Sequence, residues 1–160
     1  MPHLLPPTGH FSPASLSRRL AAMSYDLLLC LALLMVTTLI YKLISMALIG
    51  ETRLRQLSDA GALDGDPLLS TLLVLVLFGF FATFWTRAGQ TLGMQVWGIR
   101  VQNPDGSAIS LWQALLRFMV ALGSWLCLGL GFAWVLIDRH QRSWADIYSG
   151  SQIVRLPRRR

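Results

Sequence analysis

Long apolar runs separated by short polar segments dominate this chain. The first run covers residues 20–49 and carries charge only at Asp26 and Lys42. At about 1.5 Å per residue, it is long enough to cross a hydrocarbon core of about 30 Å. A polar connection over 50–67 ends in the turn signal Gly-Asp-Pro, and an uncharged run over 68–85 follows. Both runs are therefore predicted to be membrane-spanning helices.

The next segment, residues 86–117, is rich in glycine and too polar to span a membrane. The apolar residues between 96 and 101 resemble a short strand, and the Pro-Asp-Gly sequence at 104–106 predicts a turn. Ser110 is predicted to cap the N-terminus of a helix with one apolar face. We expect this glycine-rich segment to lie at the membrane interface.

A third hydrophobic element, residues 118–137, has no charge and allows two architectures. It is either a simple span or is broken at Gly129–Gly131 into two half-length helices that return to the side they entered. Simple spans divide Lys and Arg five to nine, with five on the N-terminal side, whereas a broken element divides them eleven to three. The second division is the clearer positive-inside pattern. We therefore expect a broken element and a cytoplasmic N-terminus.

The composition supports an all-α polytopic integral membrane protein. Of 160 residues, 54% are apolar and 14% charged, and the mean hydropathy is +0.52. We expect a proline-rich, disordered lead over 1–16, a transmembrane domain over 17–155 and a basic tail over 156–160. The net charge of +6 then indicates contact with the bilayer, with anionic lipid at the basic C-terminus, and not nucleic-acid binding.

Cysteine and histidine offer little chemistry. Cys30 and Cys127 lie inside apolar runs, where a small hydrophobic side chain is the ordinary interpretation. His3, His10 and His140 lie outside those runs and share no metal-ligand spacing. Serine hydrolysis within the membrane needs a serine and a base at depth, yet every histidine lies outside the apolar runs. We expect no metal, no cofactor and no enzymatic activity.

Asp26 is the most informative single residue. It lies seven positions after Arg19, on the same helical face but about 10 Å away along the axis, too far for a direct ion pair. An uncompensated carboxylate at that depth costs about 3 kcal/mol. Asp26 therefore needs a proton, water or a basic partner, and the sequence offers Arg87, Arg117 and Arg142. It is either a proton- or cation-linked site or a polar anchor for the bundle.

A second cluster, residues 138–150, follows the last apolar run. Asp138 and Asp146 flank three basic residues and a tryptophan. A boundary between membrane and water explains Asp138 by itself. The second acid, in a stretch of small and aromatic residues, is less expected there, so both aspartates are candidates for an ion-linked site.

Three motifs in order resemble the RDD family of bacterial membrane proteins, over about residues 15–155. The first span is similar at Arg19, Ala22 and Asp26. The interfacial loop is similar at Gly89, Gln90, Thr91, Leu92, Gly93, Gly98, Ile99, Arg100 and Val101. The C-terminal part is similar at Gly129, Gly131, Phe132, Asp138, Trp144, Asp146, Gly150 and Val154.

The resemblance implies a multi-pass protein of the bacterial inner membrane, with Arg19, Asp26 and Asp146 as its signature residues. It suggests a transport component, with cation–proton exchange among the candidate activities. The alternative is a non-transporting accessory or assembly protein. In either case the partner would be a second copy or another membrane protein. The chain departs from the family pattern at Met94, Ala145 and Ser151, where lysine, histidine and threonine are frequent.

Overall fold

Two long helices match the two predicted spans. The fold is known from a computed structural model, which describes residues 3–50, 52, 56, 59 and 66–157. Helix α1 is Leu16–Ile49 and helix α2 is Pro67–Arg87. Both are long and apolar enough to cross a membrane, which confirms the two predicted spans. Most of the predicted connection over 50–67 and the last three residues of the basic tail lie outside the described residues.

The interfacial segment contains a short helix, a strand and the start of a long helix: α3 (Leu92–Val96), β1 (Ile99–Gln102) and α4 (Leu111–Leu126). The expected strand over 96–101 was wrong in its first half. Thr91 accepts a hydrogen bond from the Met94 backbone N–H and starts a helical turn there instead. The strand begins only after Gly98, whose φ of +60° reverses the chain.

The third hydrophobic element is broken, as predicted. Helix α4 ends at Leu126, and α5 (Leu130–Ala133) continues into a 3-10 turn at Trp134–Leu136. The two parts meet at 110°. Leu128 and Gly129 lie at the break with φ of +53° and +81°. Because α4 begins at Leu111, the expected interfacial helix and the first half of this element form one continuous helix.

The last elements are α6 (Trp144–Ser149) and β2 (Gln152–Arg155), and β2 pairs antiparallel with β1. The N-terminal segment, which was expected to be disordered, packs against this two-stranded sheet. Ala14 N–H donates to the Ile153 carbonyl at 2.9 Å, and Arg155 N–H donates to the Ser12 carbonyl at 2.9 Å. Hydrogen bonds to the edge of β2 therefore order a proline-rich segment that composition alone describes as unstructured.

The contacts divide the chain into two units. The first comprises Met1–Leu27 and Phe80–Arg160, and the second comprises Leu28–Gly79. In the second, the Tyr41 hydroxyl donates to Asp66 Oδ2 at 2.6 Å. Asp66 Oδ1 also accepts from the Leu68 backbone N–H at 2.9 Å and so caps the start of α2.

Within the first unit, the segments outside the long helices gather around β1 and β2. We call residues 3–15, 88–110 and 138–157 the cap. The cap joins the two ends of the broken third element, because Gln113 Nε2 in the first turn of α4 donates to the Ser149 carbonyl in α6 at 3.0 Å. Both ends of residues 111–137 therefore join the same folded cap.

Candidate functional site

Arg19 is fixed at the start of α1 by the cap. Its side chain is only 6% exposed. Nη1 donates to Asp146 Oδ2 at 2.5 Å, Nε donates to the Ala14 carbonyl at 3.0 Å, and Nη2 donates to the Gln141 carbonyl at 2.9 Å. Charge-assisted bonds of this kind are about twice as strong as neutral ones. Arg19 therefore binds the beginning of α1 to α6 and to the loop before it.

Asp146 lies between two arginines. It stands in the first turn of α6, where Ser143 and Asp146 form a reciprocal capping box. Its Oδ2 faces Arg19, and its Oδ1 accepts from Arg117 Nη1 at 2.7 Å. Burial raises the pKa of Asp146, but the charges of Arg117 and Arg19 outweigh burial and hold the pKa below its ordinary value. The carboxylate is therefore ionised at neutral pH.

Arg117 is a member of this cluster that the sequence motifs do not include. Its side chain is 4% exposed and also donates from Nη1 to Ser151 Oγ at 2.5 Å. The guanidinium lies 5.5 Å from the centre of the Trp85 ring, within range of a cation–π contact. The signal that could have identified it is a single arginine among the apolar residues of α4. We call Arg19, Arg117 and Asp146 the arginine–aspartate cluster.

Two buried donors near this cluster have no partner in the part of the chain that the structure describes. They are Arg117 Nε and the indole nitrogen of Trp85. The cluster also has two guanidinium groups against one carboxylate, so it carries a net charge of about +1 at neutral pH. Buried charge that is not fully compensated is expensive, so the surroundings of this cluster must supply some of the compensation.

Asp26 lies in a separate site. Its side chain is buried, and its oxygens accept hydrogen bonds from the Thr91 hydroxyl at 2.5 Å and from the Gly93 backbone N–H at 2.9 Å. Both partners belong to the start of α3. The hydrogen bonds of Asp26 therefore come from neutral groups of residues 89–98, which we call the glycine-rich loop. Of the alternatives open for Asp26, a basic partner among Arg87, Arg117 and Arg142 is the one that the described contacts do not show.

Gly93 allows the loop to approach α1 this closely. A Cβ atom at position 93 would overlap the Ala22 carbonyl oxygen and would come within 2.9 Å of Asp26 Oδ1. Only glycine leaves room for the backbone N–H to reach the carboxylate. Thr91 both caps α3 and donates to Asp26. The Thr91-Leu92-Gly93 sequence is thus shaped to hold this one side chain.

The rest of the loop motif is used within the cap. Gly89 has φ of +66°, and a Cβ there would overlap the Val101 carbonyl oxygen. Gln90 Nε2 donates to the Ile99 carbonyl at 2.7 Å. Gly98 reverses the chain direction before β1, and a Cβ atom added there would meet nothing within 4 Å. These contacts hold the loop against β1 and present Thr91 and Gly93 to α1.

Arg100 is only 1% exposed, although it is a surface-type residue on a short strand. Its guanidinium donates to the carbonyls of Leu5, Pro6 and Pro7 at 3.0 to 3.1 Å and to Gln102 Oε1. Burial lowers the pKa of Arg100 below its ordinary value. Arg100 therefore orders the N-terminal segment by binding consecutive backbone carbonyls.

Asp138 belongs to neither site. It pairs with Arg142 at 3.2 Å, and the Arg142 side chain is 42% exposed. The hydrogen bond from Arg142 holds the pKa of Asp138 below its ordinary value. The four predicted residues thus fall into three places: Arg19 with Asp146, Asp26 with the glycine-rich loop, and Asp138 at the surface.

The described residues include no group of three His, Cys, Asp or Glu side chains that could hold a metal ion. Among known proteins, the model of the RDD family matches residues 13–150. No curated protein and no solved structure matches the chain. The matched range includes Arg19, Asp26 and Asp146 and both long apolar helices. The chain therefore belongs to the RDD family and is a membrane protein of that type.

Proposed function

We propose that this protein is a component of a membrane transport system that exchanges protons for cations, with Asp26 as the carboxylate that binds the proton and the cation in turn. The observation that carries the proposal is the set of partners around Asp26. Its hydrogen bonds come from a hydroxyl and a backbone N–H and not from a positively charged group. An ionisable carboxylate within an apolar helix, with neutral hydrogen-bond donors in the part of the chain described, is a candidate for proton loss and gain.

Both protonation states of Asp26 find partners at this site. When ionised, the carboxylate accepts from Thr91 and from Gly93, as the structure has it. When protonated at Oδ2, it can donate to Thr91 Oγ1, because a hydroxyl both donates and accepts. The Gly93 N–H still donates to Oδ1 in either state. The site therefore tolerates a change of charge without rearrangement of α3.

The arginine–aspartate cluster has the opposite character, which supports a division of roles. Asp146 is held between two charged groups and keeps its proton off. We propose that this cluster fixes the cap to α1 and that the exchangeable carboxylate is Asp26. A second copy or another membrane protein would complete a path across the bilayer. The protein is proposed to be non-enzymatic.

We further propose that the protein lies in the bacterial inner membrane with its N-terminus in the cytoplasm. The cap holds the N-terminal segment, the glycine-rich loop and the C-terminal strand together through β1 and β2. A single cap that holds both ends of residues 111–137 supports re-entry of the broken element over a simple crossing, because one folded cap lies on one side of a membrane. The side with more Lys and Arg is expected to be cytoplasmic.

Labelling of single cysteines tests this topology. Cysteines replace His10, Asp59 and Tyr148 one at a time in a chain with Cys30 and Cys127 changed to alanine. Expected labelling with a membrane-impermeant maleimide is from the same side at 10 and 148 and from the opposite side at 59. Labelling of 10 and 148 from opposite sides contradicts re-entry and restores three simple spans.

Proton flux through purified protein in liposomes tests the transport proposal. Wild type is expected to dissipate a preformed pH gradient when a transported cation is added from a panel of Na⁺, K⁺, Li⁺ and Ca²⁺. Asp26→Asn should reduce the flux to that of protein-free liposomes. Asparagine can keep both hydrogen bonds, donating to Thr91 and accepting from Gly93, so the variant is expected to fold. Asp138→Asn is the matched control and should keep the flux.

Equal dissipation by wild type, Asp26→Asn and protein-free liposomes across the panel would rule out transport by this chain alone. Wild-type flux that Asp26→Asn retains would rule out the assigned role of Asp26. In both cases the yield and melting temperature of the variant must match wild type, which separates loss of chemistry from loss of fold.

A second candidate function is that of a non-transporting accessory or assembly protein. The observation that favours it is that Arg19 and Asp146 are fully engaged in internal bonds that fasten the cap to α1. Under this proposal Asp26 is one more fastening point. Thr91→Val should then lower protein abundance and loosen a co-purifying membrane partner, with no flux in wild type. A fully abundant Thr91→Val protein that keeps the same partner would contradict it.

A further inference from the structure

The cap contains an open cleft of about 750 Å³ between the N-terminal segment, the loop before α6 and the start of β2. The side chains that matter for its chemistry are Arg139, His140, Arg142, Ser12, Ser151 and Gln152, with Asp146 also in its lining. Neither Asp26 nor the glycine-rich loop of α3 lines the cleft. It is thus distinct from the site proposed for proton exchange.

The cleft carries an excess of positive charge. Asp146 is the acid in its lining, and Arg19 and Arg117 already outnumber it within the arginine–aspartate cluster. Arg142 is balanced by Asp138. Arg139 is exposed and has no ion pair or hydrogen bond with any described residue. About two positive charges therefore remain around the cleft, one buried under it and one in its wall.

The cleft also contains hydrogen-bond donors that are not used by the described residues. The side chains of Arg139, Gln152 and Ser12 have no partner in the part of the chain that the structure describes. A guanidinium, an amide and a hydroxyl are donors that suit an anion with several acceptor oxygens. A carboxylate has two acceptor oxygens, whereas inorganic phosphate has four and a phosphodiester headgroup has two terminal and two ester oxygens.

The position of the cleft is at the beginning of α1. Arg19, in the first turn of that helix, donates to the carbonyl of Gln141, which lines the cleft. Tyr148 in α6 is 68% exposed, and tyrosine is enriched at membrane–water interfaces. When α1 spans a bilayer, the cleft therefore lies at about the depth of the lipid headgroups.

We propose that this cleft is a binding site for a phosphate group, with the Arg139 guanidinium as its principal contact. The phosphate has two accessible sources at this depth, the headgroup of an anionic lipid and a soluble phosphate from the aqueous side. The site needs the cap and its place at the interface but not proton exchange at Asp26. It also differs from attraction of lipid to the basic tail, because none of its residues belongs to 156–160.

Lipid binding to the full-length protein tests the site. Protein purified in a neutral detergent is titrated with short-chain phosphatidylglycerol, and the bound lipid is counted by native mass spectrometry. A parallel titration uses inorganic phosphate as the competitor. Arg139→Gln should weaken phosphatidylglycerol binding about fivefold, the loss expected for one basic residue at an anionic lipid surface. Arg139→Lys keeps the charge and should recover part of the affinity.

Arg87→Gln is the matched control, because Arg87 is exposed in the same unit but does not line the cleft. It should change the affinity less than twofold. Both variants, Arg87→Gln and Arg139→Gln, should melt at the wild-type temperature, because neither arginine side chain has a partner among the described residues.

The outcomes assign the ligand or remove the site. Phosphatidylglycerol binding that inorganic phosphate does not displace assigns the site to a lipid headgroup. Displacement by millimolar phosphate, with the same loss in Arg139→Gln, assigns it to a soluble phosphate. An Arg139→Gln protein that binds like wild type overturns the proposal, and so does an equal loss in Arg87→Gln, which would mean diffuse attraction to the whole basic surface.

Discussion

Replacement of Asp146 by asparagine should destabilise the protein far more than the same change at Asp138. Asp146 is fully buried and accepts from Arg19 at 2.5 Å and from Arg117 at 2.7 Å. Asparagine would leave two guanidinium groups buried without a counter-charge. Breaking a buried pair in this way costs about 3–5 kcal/mol. For a chain of this size, that corresponds to a fall of roughly 10 °C in melting temperature.

Asp138→Asn provides the scale for this comparison. The change removes one negative charge next to an arginine in both variants, but Arg142 is 42% exposed. An exposed pair contributes about 1 kcal/mol or less, so the melting temperature should fall by at most about 3 °C. The assay is thermal unfolding of the detergent-purified protein, followed by intrinsic tryptophan fluorescence.

A third variant separates loss of charge from loss of shape. Arg117→Leu added to Asp146→Asn removes one of the two uncompensated cations, so the double variant should melt above Asp146→Asn alone. Equal melting temperatures for Asp146→Asn and Asp138→Asn would refute the role given to burial. A double variant no more stable than the single one would refute the charge argument.

Three further outcomes are expected. Gly93→Ala should lower the free energy of unfolding by about 1–3 kcal/mol, because the added Cβ would overlap a backbone carbonyl of α1. Gly123→Ala is the control and should be neutral or slightly stabilising, because a Cβ there would meet nothing within 4 Å. Thermal melting curves compare the two variants. Arg100→Gln should speed hydrogen exchange in residues 3–10, read by mass spectrometry, because three carbonyls there lose a charged donor. The melting temperature of wild type should fall as the pH drops below about 4, because the pKa of Asp146 is depressed in the folded state and its contribution is lost on protonation; Asp146→Asn should lack this component.

The helices were predictable because the information for them is local. Apolar runs long enough to span a membrane identify α1 and α2, and the break near Gly129 follows from glycine spacing together with the charge count. Ser110 was predicted as an N-cap, and it forms a full capping box with Gln113. Each of these features depends on residues within a few turns of one another.

Part of the interfacial segment was harder to predict, because its structure depends on residues that are distant in sequence. An apolar stretch such as Val96 to Val101 fits a strand or a helical turn equally well over so few residues. Thr91 decided the matter by capping α3, and it is held in that place by Asp26, 65 positions earlier. The N-terminal segment is a similar case, because its order comes from Arg100 and from the edge of β2 and not from its own composition.

Apolar run lengths, glycine positions and the charge count identify a membrane protein with two long apolar helices and a broken third element, and the family resemblance adds Arg19, Asp26 and Asp146 as signature residues. Which of these residues contact one another depends on the folded chain. Arg19 pairs with a residue 127 positions away, and Asp26 binds the loop before β1 instead of an arginine. Hydrophobic periodicity acts over a few turns, whereas these pairings exist only after the cap has brought the two ends of the chain to one place.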